Sequence, residues 1–210
     1  MALQDYYNTG DNNGSTFGLT TWRAQSFKAS SGYSAESVKL LLLKSASGAL
    51  GTVTVSLRAV DGSSFPTGGD LAVGTTDGNT LTTDFAGEWR EITFGTPYEL
   101  TAEVTYAIVV RALAAAFFGT WRAEVPGTFA DGVGSRSTNS GSTWTIPVST
   151  DNMFEVYGTA SSTYVDFAAT LAVTGGLSAN LYYGSVNVKG YTSTKRIVVA
   201  GYNSIYYEDV

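Results

Sequence analysis

The chain has neither cysteine nor histidine. Thiolate nucleophiles, Cys/His zinc sites, haem ligation through His and any Ser-His-Asp or Cys-His relay are therefore excluded by residue type alone. Catalysis would have to come from paired carboxylates or from Lys and Tyr acid/base chemistry. Glycoside hydrolysis needs two acids about 5–9.5 Å apart on either side of the scissile bond. Glu88 and Glu91 are three apart in a run that reads as a strand, so they point to opposite faces. Glu99, Glu103 and Glu124 belong to no motif and read as solvated charges. The expectation is a protein that is not an enzyme. Asp11-Asn12-Asn13-Gly14 resembles the first half of a calcium loop but has no Glu to close an EF-hand. It reads as a solvated turn, with a structural calcium the lesser alternative and no other cofactor expected. No glycine-rich phosphate loop precedes a helix.

Two further patterns carry potential binding chemistry. Trp-Arg occurs three times, at Trp22-Arg23, Trp89-Arg90 and Trp121-Arg122. Neighbouring strand residues face opposite ways, so indoles packed in the core leave three guanidinium groups outside. Indoles turned outward would instead offer, together with Trp144, a platform for stacking sugars. The first arrangement is expected. Residues 137–144, Ser-Thr-Asn-Ser-Gly-Ser-Thr-Trp, fit the S-x-D-x-G-x-T-W spacing of the sialidase Asp-box, with Asn139 where that motif has Asp. In that family the element is a non-catalytic hairpin and recurs once per blade, whereas it occurs once here. Asn and Gly in the bend, with hydroxyls to bond the loop backbone, predict a turn.

The elements that must position these residues are strands. With 43% hydrophobic and 14% charged residues over 210 positions, the chain is long and apolar enough for a sizeable core. Glycine is frequent, and turn residues recur about every 8–12 positions, the spacing of a sandwich. The sole helix-compatible run, residues 112–116, is too short to stand alone. Strands are expected over 22–29, 37–44, 52–60, 71–74, 88–94 and 105–111, with loops at 61–69 and 76–79 and a break at 95–97. In 37–44, Val38, Leu40 and Leu42 share one face and Leu41 and Leu43 the other, predicting burial on both sides. In 52–60, Val53, Val55, Leu57 and Ala59 alternate with Thr52, Thr54, Ser56 and Arg58, predicting one wet face.

Several of these segments together resemble a recurrent β-sandwich module: Ala24-Gln25-Ser26-Phe27, Ser37-Val38-Lys39-Leu40, the run 51–59, Phe65-Pro66-Thr67-Gly68, the run 106–111 and the closing run 153–158. Modules of this kind are jelly-roll-like and are found in phage virion proteins and bacterial surface proteins, as binding or assembly parts. The resemblance implies an all-β, jelly-roll-like antiparallel β-sandwich over residues 1–158. The apolar run that ends in Phe117 and Phe118, where such modules have a polar loop, should be covered by this chain or by a neighbouring subunit.

Residues 159–210 form a second segment, a small Tyr-rich β appendage. From position 164 it carries three basic and three acidic residues, so the first part holds the whole net charge of −6. Fewer than 50 residues without a disulfide or metal rarely fold alone. The segment should dock on its own sandwich or serve as an assembly arm, with Tyr182, Tyr183, Tyr191, Tyr202, Tyr206 and Tyr207 as interface candidates. The acidic balance removes the basic stripe that nucleic acid or an anionic membrane would need. No export signal is read at Met1-Ala2-Leu3-Gln4-Asp5, which implies synthesis in a host cytoplasm.

Two functions from different classes follow. One is a non-enzymatic structural virion protein on the virion surface, a phage head-decoration, spike or fibre-base subunit. It would self-associate, a trimer being favoured, and attach to a capsid or other virion protein. The other is a carbohydrate-binding module that stacks a glycan on Trp22, Trp89, Trp121 or Trp144. A non-viral extracellular filament or surface-layer subunit differs from the first mainly in where the chain is found.

Overall fold

The computed structural model describes residues 1–45, 48–112, 117–146 and 148–161. Expectations for residues 113–116 and 162–210, including the six tyrosines from Tyr182 to Tyr207, lie outside the described residues. In chain order the strands are β1 (Ala2–Tyr7), β2 (Asn13–Phe17), β3 (Trp22–Lys28), β4 (Tyr33–Lys44), β5 (Thr52–Val60), β6 (Pro66–Asp77), β7 (Glu88–Leu100), β8 (Thr105–Ala112), β9 (Gly119–Glu124), β10 (Gly134–Ser137), β11 (Asp151–Asn152) and β12 (Phe154–Ala160). Among the described residues the only helical element is a short 3-10 turn, Gly78–Thr80.

The strands form two antiparallel sheets packed face to face. One holds five strands in the order β10-β3-β8-β5-β6. The other holds seven and is built on β4, which takes β7 along one edge and β12 followed by β9 along the other. β1 lies outside β12, and β9 also pairs with β2 and β11. From β3 onward the chain crosses repeatedly between the layers, as in a jelly-roll-like sandwich.

Alternation decides which side chains meet between the sheets. Val38, Leu40 and Leu42 from β4 face Val53, Val55 and Leu57 from β5 and Ile108 and Val110 from β8, and Phe17, Phe27, Trp121 and Phe154 join them. On the other face of β4, Leu41 and Leu43 are 8% and 7% exposed, so this strand is covered on both sides as its sequence implies. β5 departs from expectation. Ser56, on the face predicted to be wet, is fully buried, because Trp22, Asp70 and Arg111 gather over that face.

Two strands are longer than their sequences predict. β6 begins at Pro66 and continues through Asp77, because an irregularity against β5, between Leu57 and Ala59, absorbs the glycines of the supposed loop. β7 runs through Gly95-Thr96-Pro97, where its register against β4 slips between Ala35 and Ser37. Among the described residues β7 pairs with β4 alone, so a residue lacking an N–H is tolerated at this edge.

Candidate functional site

The three Trp-Arg pairs adopt three different arrangements. Trp121 is fully buried in the core and donates its indole N–H to the Met153 carbonyl at 2.7 Å. Trp89 is reversed: it lies 39% exposed on the outer face of β7, while Arg90 turns inward and bonds the Thr80 hydroxyl at 2.9 Å and the Glu88 carboxylate. The reason is register, since Ile92 and Phe94 face the core and force Arg90, two residues earlier, onto the same side. Phe27 does likewise in β3. Arg23 points inward and donates to the Thr16 carbonyl at 2.8 Å, and Trp22 is left on the outer face. The expected arrangement therefore holds only for Trp121. Even there Arg122 is not solvated: it is 5% exposed, donates to Asp11 Oδ2 at 3.0 and 2.8 Å, and lies 4.2 Å from the Phe85 ring centroid.

That pairing also revises the reading of the Asp11-Asn12-Asn13-Gly14 segment as a solvated turn. Asp11 binds Arg122, Asn12 exchanges hydrogen bonds with both backbone groups of Val125, and Asn13 and Gly14 enter β2. The segment fastens β2 to the far end of β9. Among the described residues no cluster of three acidic side chains could hold a metal ion.

The outer face of the five-stranded sheet is organised around Trp22, which packs with Ala24, Phe65, Val109 and Trp144. The guanidinium groups of Arg58 and Arg111 lie 5.4 and 5.0 Å from its ring centroid. Asp70 ties them together, accepting from Arg58 Nε at 2.7 Å and Arg111 Nη2 at 2.6 Å, while Arg111 Nη1 donates to Ser56 Oγ at 2.8 Å. Burial opposes ionisation of the Asp70 carboxyl, but hydrogen bonds from Arg111, Arg58 and Ser56 outweigh it and hold the group below the usual carboxylate range.

Residues 137–144 form the turn that their spacing predicts. Ser137 Oγ accepts from Gly141 N at 2.8 Å and donates to Asn139 Oδ1 at 2.9 Å. The same Asn139 oxygen accepts from Thr143 N at 2.9 Å, and Asn139 Nδ2 donates to Thr143 Oγ1 at 2.9 Å. Gly141 has a φ of 83°, and a Cβ there would come within 2.7 Å of the Trp22 ring, so only glycine fits. Trp144, 9% exposed, completes the cover over Trp22.

Between this hairpin and the β5–β6 turn lies a cleft of about 350 Å³, lined by Arg58, Asp61, Phe65, Thr67, Ser142 and Trp144 among others. Its second rim is also fixed, because Asp61 Oδ1 accepts from the amides of Ser63 at 2.8 Å and Phe65 at 3.0 Å. Of the four tryptophans proposed as sugar platforms, Trp121 and Trp144 are buried, Trp22 is partly covered and Trp89 alone presents substantial surface.

The outer face of the seven-stranded sheet is apolar at the C-terminal end of β4. Phe85, 61% exposed, lies against the Arg122 guanidinium, and Trp89 lies opposite Leu41 on the outer face. Gly87 lets the 84–87 loop sit this low: its φ is 75°, and a Cβ would lie 3.0 Å from Arg122 Cγ. Phe118, 49% exposed, immediately precedes β9; its carbonyl accepts from Ser45 N at 3.0 Å and its ring lies by Gly18. Phe117 is partly buried, its ring against Gly48, so this chain itself covers one of the two phenylalanines. Phe85 was not singled out by sequence. A lone aromatic in the polar run Thr82-Thr83-Asp84-Phe85-Ala86-Gly87 is the signal that could have found it.

The acidic candidates each have their own partners. Glu88 lies opposite Leu42 and Glu91 opposite Lys39, hence on opposite faces as expected. Glu91 accepts from Ser37 Oγ at 3.0 Å, Glu99 from Ser161 Oγ at 2.6 Å, and Glu103 pairs with Lys28 at 3.0 Å. Glu124 accepts from Tyr7 and Thr128, and the Tyr7 hydroxyl holds its carboxyl below the ordinary value. No family model matches this chain, and no curated protein matches it in sequence.

Proposed function

We propose that this protein is a non-enzymatic structural subunit that acts by self-association and by attachment to a shell, as a phage head-decoration, spike or fibre-base protein on the virion surface. The observation that carries the reading is the aromatic surface on the seven-stranded sheet, where Phe85, against Arg122, and Trp89, opposite Leu41, are 61% and 39% exposed. Aromatic residues within a polar rim are the composition of a protein contact, and a lone monomer gains nothing by wetting them. Here Asp84, next to Phe85, and Thr120, opposite Leu43, supply the rim. The occupant we assign is a second copy of the chain. The resemblance of segments within residues 1–158 to jelly-roll-like virion modules supports the phage setting.

Light scattering after size exclusion tests the reading on the full chain. We expect a closed oligomer, a trimer before other states, and a shift toward monomer in the F85S/W89S double variant with the far-ultraviolet circular dichroism unchanged. A wild-type monomer at about 100 µM, where a contact of micromolar Kd is mostly assembled, overturns the self-association. An oligomer that the double variant leaves intact removes this face from it.

A further inference from the structure

We propose that the cleft between the β5–β6 turn and the 137–144 hairpin binds a small neutral saccharide. The inference stands apart from the assembly reading, because the cleft lies over the five-stranded sheet and the aromatic patch over the seven-stranded one. It also differs from a stacking platform of exposed tryptophans, since only Trp144 of the four lines the cleft.

Size, chemistry and rigidity support it. A volume of about 350 Å³ lies toward the small end of ligand sites, with room for one or two pyranose rings. Arg58 spends Nε on Asp70, but its two Nη groups make no hydrogen bond among the described residues, so up to four N–H donors remain for a ligand. Asp61 spends Oδ1 on the turn backbone, and among the described residues Oδ2 accepts no hydrogen bond. A guanidinium donor and a carboxylate acceptor lining one cleft match adjacent sugar hydroxyls, each of which donates and accepts. The Ser142 and Thr67 side chains add hydroxyls, and Phe65 and Trp144 add apolar surface for ring C–H groups.

Charge gives anions no advantage. Arg58 and Arg111 share the one Asp70 carboxylate, and the Asp61 carboxylate in the cleft offsets the remaining positive charge, so no net field draws in a phosphate or a uronate. Both rims are held by internal hydrogen bonds, so binding does not have to order a loop.

Saturation-transfer NMR on the full chain tests the assignment, with the methyl glycosides of glucose, galactose, mannose and N-acetylglucosamine, with lactose and maltose, and with inorganic phosphate as the anionic probe. At least one sugar should bind saturably with a Kd of about 1–10 mM, and phosphate should not compete. D61N keeps the turn acceptor but replaces Oδ2 by an amide NH2, a donor, and T67W fills the cleft from an exposed position on β6. Each should weaken binding at least about tenfold, a factor well clear of measurement scatter, without moving the melting temperature. S142W replaces T67W should the latter melt early. Absence of saturable binding across the sugar set, binding that survives D61N together with a cleft-filling variant, or phosphate displacing the sugar overturns the proposal.

Discussion

Replacing Asp70 by Asn probes the polar lock over the five-stranded sheet. Asp70 accepts charged hydrogen bonds from Arg58 and Arg111 at 2.7 and 2.6 Å, and the side chains of Asp70, Arg58 and Arg111 are 21%, 14% and 16% exposed. A hydrogen bond to a charged group is worth about 1.5–3 kcal/mol. Asn keeps one acceptor oxygen but turns an amide NH2 toward the second guanidinium, and the remaining exposure screens part of the loss. The expected cost is about 2–3 kcal/mol at pH 7, a fall in Tm of about 5–10 °C for a chain of this size.

The dependence on pH sharpens the test. A carboxyl held below its ordinary value stabilises the fold fully above the unfolded pKa of about 3.9, and that contribution is lost as pH falls through the lower folded value. The Tm gap between wild type and D70N should therefore be widest at pH 7 and close progressively below about pH 4. Asp151 acts in the opposite sense. Burial pushes its carboxyl up despite hydrogen bonds from the Phe129 amide and Gln25, so its contribution is greatest in acid and is lost as pH rises through the folded value. Both variants carry Asp151, so the difference between their curves cancels it to first order. A gap under about 1 kcal/mol at pH 7, or one that stays constant into acid, refutes the lock.

In the 137–144 hairpin, Asn139→Ala removes hydrogen bonds to Ser137 and to the Thr143 amide and hydroxyl and should cost about 1–2 kcal/mol. Asn139→Asp should stay within about 0.5 kcal/mol of wild type, because the Thr143 hydroxyl can reverse and donate. Urea midpoints followed by tryptophan emission read both, and an Asp variant as damaged as Ala would contradict the bonding scheme. For Trp121, fully buried and bonded to the Met153 carbonyl, Ala should cost about 3–5 kcal/mol and Phe about 2 kcal/mol, the latter mainly from the orphaned carbonyl. Calorimetry that finds Phe as costly as Ala would show that the ring volume does not carry the site.

Sequence made legible what depends on one strand alone. Alternation in 37–44 and 52–60 is a local property, and burial of Leu40, Leu42, Val53, Val55 and Leu57 follows from it. The Ser137 hairpin was equally legible, because its bonds join residues two to four apart. The strand through Pro97 was not, since it rests on a register slip against β4 that only the pairing reveals. Nor was the direction of Trp22 and Trp89. A Trp-Arg step says that the two side chains diverge, while Phe27 in β3 and Ile92 in β7 decide which one meets the core. The cleft was the least accessible of all. Arg58, Asp61 and Thr67 lie in one hairpin and Ser142 and Trp144 in another more than 70 positions on, so no spacing rule joins them.

The two outer faces of the sandwich solve the same problem differently. Each β-layer turns one side to the core, and the other side must be wetted or covered. On the five-stranded sheet the chain covers it with its own parts: the hairpin, the Asp70 ion pairs and Trp144 close over Trp22, and the seam between the two rims is the polar cleft. On the seven-stranded sheet the 84–87 loop lies over Leu41 but leaves Phe85 and Trp89 exposed. Cover supplied from within can be polar and rigid, and therefore suits recognition of a small ligand. Cover left incomplete and aromatic suits a macromolecular partner. Because the faces lie back to back, a copy seated on the aromatic patch would leave the cleft open to solvent, so F85S/W89S should alter assembly without changing sugar affinity, and D61N should do the reverse.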